Sequence, residues 1–284
     1  MRQLYPAIAL LVALAAAAGA WQALSGRPPK APAAAETRQP APRKAVVAKA
    51  AVEDKPAAST AAAPAVPAAY RGQIVRTRVR HFPEKLLALT FDDGPSPTVT
   101  PRVLKALREH DARATFFVLG KCAKQWPELV RQAAQEGHAI GSHSYTHPAK
   151  TSPAEACSQL ERTAGFIEAA TGRKPQLFRP PYGITKSNLC DTALKQGYTG
   201  VLWTISSADS RPIGASVIAH NVIHTPNPGD IVLMHDAETH PATAAALPQI
   251  LRELSAAGFR FVTLPELLQA WEQWQGGGKT TAPR

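Results

Sequence analysis

The sequence predicts an α/β fold, a parallel sheet covered by helices and closed or nearly closed into a barrel. Three observations carry that expectation. Short apolar runs recur without polar alternation, as in strands buried on both faces. Amphipathic stretches separate them, and repeated strand–helix alternation means a parallel sheet. The polar residues collect where the apolar runs end, the rim on which α/β barrels carry their chemistry. The number of repeats favours one barrel over a two-domain chain, and no internal repeat is visible.

Residues 1–26 read as an export signal: Arg2, then an Ala/Leu core, then the small-residue site Ala18-Gly19-Ala20. An uncleaved anchor in the inner membrane is the alternative, because residues 4–24 come close to the roughly 20 that a span requires. The chain is therefore expected outside the cytoplasm, periplasmic or secreted. Residues 27–69 are Ala, Pro, Lys and Arg with few large apolar side chains, a composition that cannot offset its own ordering entropy. A disordered, extended linker is expected there.

The formal charge of +11 is uneven. Residues 27–80 carry 11 Lys/Arg against 3 Asp/Glu, and residues 81–284 carry 20 against 18. The folded part is thus nearly neutral, with no basic stripe interleaved with aromatics, which speaks against nucleic acid. The basic linker instead suits an anionic envelope polymer or membrane surface.

A folded domain is expected over 70–275, with a frayed tail at 276–284. After the apolar run that begins at Leu86, strands are expected at 114–119, 139–142, 177–178, 201–205, 231–234 and 259–263. Helices are expected at 101–110, 127–136, 153–170, 186–196, 215–224, 242–257 and 265–274. Proline opens several of them, where a missing N–H costs nothing.

The strand from Leu86 ends in Asp92-Asp93-Gly94-Pro95. Two acids at the end of a buried strand need a positive neighbour, a metal ion or a basic side chain. After the run at 139–142 come His143 and His147, which as i and i+4 on one helical turn could face one ion. Two His and one carboxylate make a catalytic zinc set with open positions. Arg179, in Phe178-Arg179-Pro180-Pro181-Tyr182-Gly183, is placed to pair with one of the acids. Asp209 and His235 end two further strand runs.

These segments resemble, in order, the five motifs of the polysaccharide deacetylases that share the NodB homology domain (carbohydrate esterase family 4). They are Thr90 to Pro95, His143 to His147, Arg179 to Tyr182, the segment around Asp209, and Leu233-Met234-His235. The resemblance covers about 86–268. It implies a distorted (β/α) barrel with fewer than eight complete units. It implies metal-dependent hydrolysis of N-acetyl groups on N-acetylglucosamine-type sugars of an envelope or extracellular glycan, such as peptidoglycan, a chitin-like polymer or poly-N-acetylglucosamine. O-acetyl (xylan) esterase activity and a catalytically weakened glycan-binding protein are the alternatives.

By the same resemblance, Asp93, His143 and His147 hold a divalent ion, Zn2+ first and Co2+ or another second. Asp92 is the general base, Arg179 its partner, His235 the general acid and Asp209 its partner. The Tyr182 amide supports the oxyanion, beside Pro181, and Leu233 lines the acetyl pocket. In the fourth motif Ser206 and Ser210 stand where the family often has Asp and Trp, which touches pocket shape more than chemistry. A monomer is expected. Cys122, Cys157 and Cys190 match no motif. An exported chain permits a disulfide, and Cys157 with Cys190 is the preferred pair.

Overall fold

The computed structural model describes residues 63–224 and 226–277. The expected export signal, most of the linker and most of the C-terminal tail lie outside them. Among the described residues no helix is long and apolar enough to cross a membrane.

The strands are β1 (Ile74–Val75), β2 (Leu86–Asp92), β3 (Thr115–Val118), β4 (Ala139–Ser142), β5 (Leu177–Phe178), β6 (Thr199–Val201), β7 (Ile205–Ser206), β8 (Asp230–His235) and β9 (Arg260–Phe261). The helices are α1 (Thr100–Glu109), α2 (Gly120–Gln125), α3 (Pro127–Gln135), α4 (Pro153–Thr171), α5 (Asn188–Lys195), α6 (Ala215–Ile223), α7 (Pro241–Ala256) and α8 (Leu264–Gly277). The sheet order is β1-β6-β5-β4-β3-β2-β8-β7, with β9 added beside β2, and every pairing is parallel. The order ends at β1 and β7, which do not pair with each other. This is an incomplete (β/α) barrel, a parallel half-barrel.

The run expected as one strand over 201–205 is two strands. Leu202 N–H donates to the Val75 carbonyl on one side of the seam, and Thr204 N–H to the Ile231 carbonyl on the other. The chain itself crosses the seam there, so its ladder partners change. Two of these elements were not expected from the sequence, the two-residue β1 and the six-residue α2. Both are too short to show a hydrophobic period.

Strand β2 is buried along all seven residues. Leu87, Leu89 and Phe91 point outward to a cluster with α1 and α7, while Leu86 and Ala88 join an inner cluster with Leu177, Ile231, Leu264 and Leu268. The period of two then places Thr90 and Asp92 in the interior above those inner residues. Helix α8 packs on the inner cluster through Leu264, Leu267, Leu268 and Trp271. Asp92 thus lies at the end of β2 away from α8.

Helix starts follow local chemistry. Proline occupies the first turn of α1, α3, α4 and α7. At α4, Ser152 and Glu155 cap each other reciprocally, and Gly172 at φ 74° ends the helix in the left-handed region.

Three further expectations are corrected. Residues 63–69, counted with the linker, pack on the barrel: Val66 is 2% exposed and its N–H donates to Gln176 Oε1 at 2.8 Å. Likewise α8 runs on to Gly277, into the expected tail. The Cys157–Cys190 disulfide is absent and all three cysteines are free. Cys190 is buried with Ala156 and Leu160. Cys157 follows Ala156, about 100° further round the helix, and contacts Glu161 and Gln196 instead.

Candidate active site

Asp92 ends β2 at 3% exposure. Arg179, fully buried just past β5, donates from Nη1 to Asp92 Oδ1 at 2.8 Å and to Thr90 Oγ1 at 2.7 Å. Its Nε donates to the Val201 carbonyl at 3.2 Å, and its guanidinium lies 4.3 Å from the Phe117 ring centroid. Removing such a pair from water is costly, and the extra hydrogen bonds and the ring face offset that cost. Burial lifts the Asp92 carboxyl above its usual range against the pull of Arg179. A carboxylate that must take up a proton near neutral pH needs that upward shift.

Asp93, the next residue, turns through φ 72°. Its Oδ1 lies 3.6 Å from His143 Nε2 and 3.7 Å from His147 Nε2. That oxygen is buried and has no hydrogen-bond partner among the described residues. The ligand atoms of the three residues all lie within 4.8 Å of one another. Two imidazole nitrogens and an orphaned carboxylate oxygen facing one point suit a divalent cation. His143 Nδ1 is 2.7 Å from the Arg179 carbonyl, which must accept, so the proton sits on Nδ1 and Nε2 keeps its lone pair. Burial holds His143 neutral, down to about 3.

The two histidines do not share a helical turn, contrary to expectation. Residues 143–147 form a loop with Ser144 at φ 67° and His147 at φ 63°. The start of α2 explains it. The N–H groups of Gly120 and Lys121 donate to the carbonyls of Ser144 and Tyr145, which satisfies α2 and holds the loop open. Gln159 Oε1 takes the Tyr145 and Thr146 N–H groups from the other side.

His235 ends β8, opposite Asp92 in the ladder. Its Nδ1 is 2.8 Å from Asp209 Oδ1, and its own N–H donates to Asp209 Oδ2, also at 2.8 Å. Thr243 Oγ1 donates to the same Oδ2 at 2.7 Å. Burial works against a charged His235, but the Asp209 hydrogen bond and the carboxylates of Asp92, Asp209 and Asp93 outweigh it and raise the ring to about 9. The same contacts hold the Asp209 carboxyl below its usual range despite burial.

Tyr182 stands 64% exposed at the rim, at φ 56°, with its ring 4.3 Å from that of His147. Pro181 beside it is buried, and Leu233 is 8% exposed on β8. Ser206 and Ser210 are both exposed. Ser206 Oγ accepts from the Ala208 N–H at 3.2 Å, in the turn that aims Asp209 at His235. Several neighbours of these residues were not found from the sequence: Thr90, Thr243, Asp236 and His240. Asp236 is buried beneath Gly94, accepts a hydrogen bond from the Thr100 hydroxyl at 2.6 Å and is pushed up to about 7 by burial. A Cβ on Gly94 would come within 2.3 Å of its carboxylate, so this turn needs glycine.

One rim of an incomplete barrel thus holds an acid able to accept a proton and an imidazole able to give one, beside a place for a cation. That is the equipment of a hydrolase that activates water. The match to known proteins agrees. Residues 80–201 match the family model described as polysaccharide deacetylase. The chain is 41% identical over 191 residues to a peptidoglycan-N-acetylglucosamine deacetylase of Bacillus cereus, covering 66% of this chain and 89% of that protein. It is 40% identical over 185 residues to the peptidoglycan-N-acetylglucosamine deacetylase PgdA of Listeria monocytogenes, covering 64% of this chain but 39% of that protein. A crystal structure of a peptidoglycan N-acetylglucosamine deacetylase, in complex with 4-naphthalen-1-yl-N-oxidanyl-benzamide, superposes with a TM-score of 0.63 at 36% identity, over 66% of this chain and 90% of that one. The chain belongs to the polysaccharide deacetylase family, hydrolases of the amide carbon–nitrogen bond.

Proposed function

We propose that the protein is an exported, metal-dependent deacetylase that removes N-acetyl groups from N-acetylglucosamine residues of a cell-envelope glycan, with peptidoglycan as the leading substrate. The observation that carries the chemistry is the orphaned Asp93 Oδ1 facing His143 Nε2 and His147 Nε2. The names of the relatives favour the substrate. The N-terminal residues 1–26 and the basic linker favour export and weak attachment to an anionic envelope polymer or membrane surface.

Asp93, His143 and His147 would hold the ion, and their nitrogen–oxygen set suits Zn2+. Bound there, a divalent ion supplies Lewis-acid polarisation of the acetyl carbonyl and a more acidic water. Asp92 accepts the proton of the attacking water, and Arg179 keeps that carboxylate in place and ionised between turnovers. The Tyr182 backbone N–H donates to the developing oxyanion. Leu233 and Pro181 line the space for the acetyl methyl and the sugar. The leaving amine is strongly basic, so it departs only as it is protonated, and His235 gives that proton from its Nε2. Asp209 keeps the ring charged for this step.

The test is product mass and acetate release on chitooligosaccharides, peptidoglycan fragments, poly-N-acetylglucosamine and acetyl-xylan. Loss of N-acetyl from glucosamine-containing substrates that stops on chelation supports the proposal. Release from acetyl-xylan alone, or full activity in metal-free protein, contradicts it.

A further inference from the structure

The His235 ring does not stand alone. His240 lies flat against it, 4.9 Å between centroids and 19° between planes. His240 is half-buried and directly precedes α7, and its Nδ1 is 3.0 Å from the Thr239 hydroxyl. It belongs to none of the sequence motifs, and none of the chemistry described above uses it. Burial, then the His235 charge, hold it below the usual histidine range, so it is the neutral member of the stack.

A second ring has a physical use here. Asp209 grips His235 at a single ring atom, Nδ1. The torsion of a histidine ring about its Cβ–Cγ bond has broad minima, and one hydrogen bond tolerates tilt. Tilt carries Nε2, the atom that gives up its proton, out of line with the leaving nitrogen. A flat neighbour against the ring face removes that freedom. The π face of a neutral ring also attracts a cation laid on it.

We propose that His240 is a positioning residue for proton donation: its ring lies against His235 and holds the imidazolium plane so that Nε2 points at the departing amine. This rests on the reading of His235 as the leaving-group acid. It concerns His235 alone, since Asp92 and the metal cluster are held by other contacts. His240 acts as a flat aromatic surface and exchanges no proton with the substrate.

The experiment is steady-state kinetics of metal-loaded enzyme on an N-acetylglucosamine oligomer and on an activated aryl acetate, with His240→Ala, His240→Phe and His235→Ala. Misalignment of a reacting group by about 1 Å costs on the order of 10²-fold. His240→Ala should therefore lower kcat on the amide by about 10-fold to 10²-fold, leave KM nearly unchanged and spare the aryl acetate, whose leaving group needs no proton. His240→Phe should restore most of the loss. Equal losses on both substrates for His240→Ala, beside a His235→Ala that spares the ester, would overturn the positioning role and leave the acid assignment standing. A His240→Phe no better than His240→Ala would overturn it as well. Equal losses for His235→Ala itself would remove the acid assignment and the proposal together.

Discussion

His143 and His235 sit on the same rim, both close to Asp92 and Asp93, yet their surroundings push them in opposite directions. His143 rests its Nδ1 on a neutral carbonyl and is buried to 3% exposure, which holds it neutral to about 3. His235 rests its Nδ1 on the Asp209 carboxylate and is held charged to about 9. A carbonyl partner orients a ring and leaves its far nitrogen a lone pair, whereas a carboxylate partner also stabilises the cation. One residue type can therefore present a lone pair at one point of a rim and a proton at another, and the second contact of each ring decides which.

The largest effect expected from breaking this contrast is on the ligand side. His143→Ala or His147→Ala, or chelation, should reduce deacetylation to background and bound metal from about one equivalent to far less. Metal analysis alongside activity checks it. Asp92→Asn should lower turnover by about 10² to 10⁴-fold while metal stays bound, the usual worth of a general base. His235→Ala should cost a similar factor on an acetamide and much less on an aryl acetate, measured side by side.

A subtler break is Asp209→Asn. As the proposed leaving-group acid, His235 acts as the imidazolium, present below its pKa and lost as pH rises through it. Without the carboxylate the ring titrates nearer its ordinary value of about 6.5, so the alkaline limb of the pH–rate profile should move to lower pH. A bound cation also offsets the pull of Asp92 and Asp93, so the limb in loaded enzyme should lie below the value of about 9 for the metal-free ring. The linkage to stability has the same sign. The His235–Asp209 pair contributes fully below about pH 6.5, and the contribution fades as pH rises through about 9. The smallest effect concerns the linker. Deleting residues 27–62 should leave turnover on a short oligosaccharide unchanged, whereas a cut extending past Val66 should lower the melting temperature, because that side chain is buried.

The barrel and the charged residues of the rim were legible because each leaves a local mark. Strand β2 is an unbroken apolar run that ends in two acids, and a strand terminus fixes where such acids point. Contacts made across the fold were less so. Thr243 reaches Asp209 from 34 positions away, and Thr90 braces Arg179 across 89. Neither carries a pattern of its own. The His143–His147 spacing suggested a helical turn because i and i+4 fit one, but α2 claims the loop carbonyls and sets a different backbone. The strand expected at 201–205 reads as a single apolar run because both halves are strand. Only the seam of the barrel shows that its partners change. The disulfide failed for a reason of helix phase, which composition does not contain.

Nitrogen-15 NMR of the imidazole side chains near neutral pH, before and after one equivalent of Zn2+, reads out the two histidine states of this rim. In the metal-free protein the His235 ring should be doubly protonated and His143 neutral with its proton on Nδ1. Zinc should then shift Nε2 of His143 and His147 and leave His235 protonated. A neutral His235 in the metal-free protein, or a His235 that takes the zinc in place of either loop histidine, would rule out these two states.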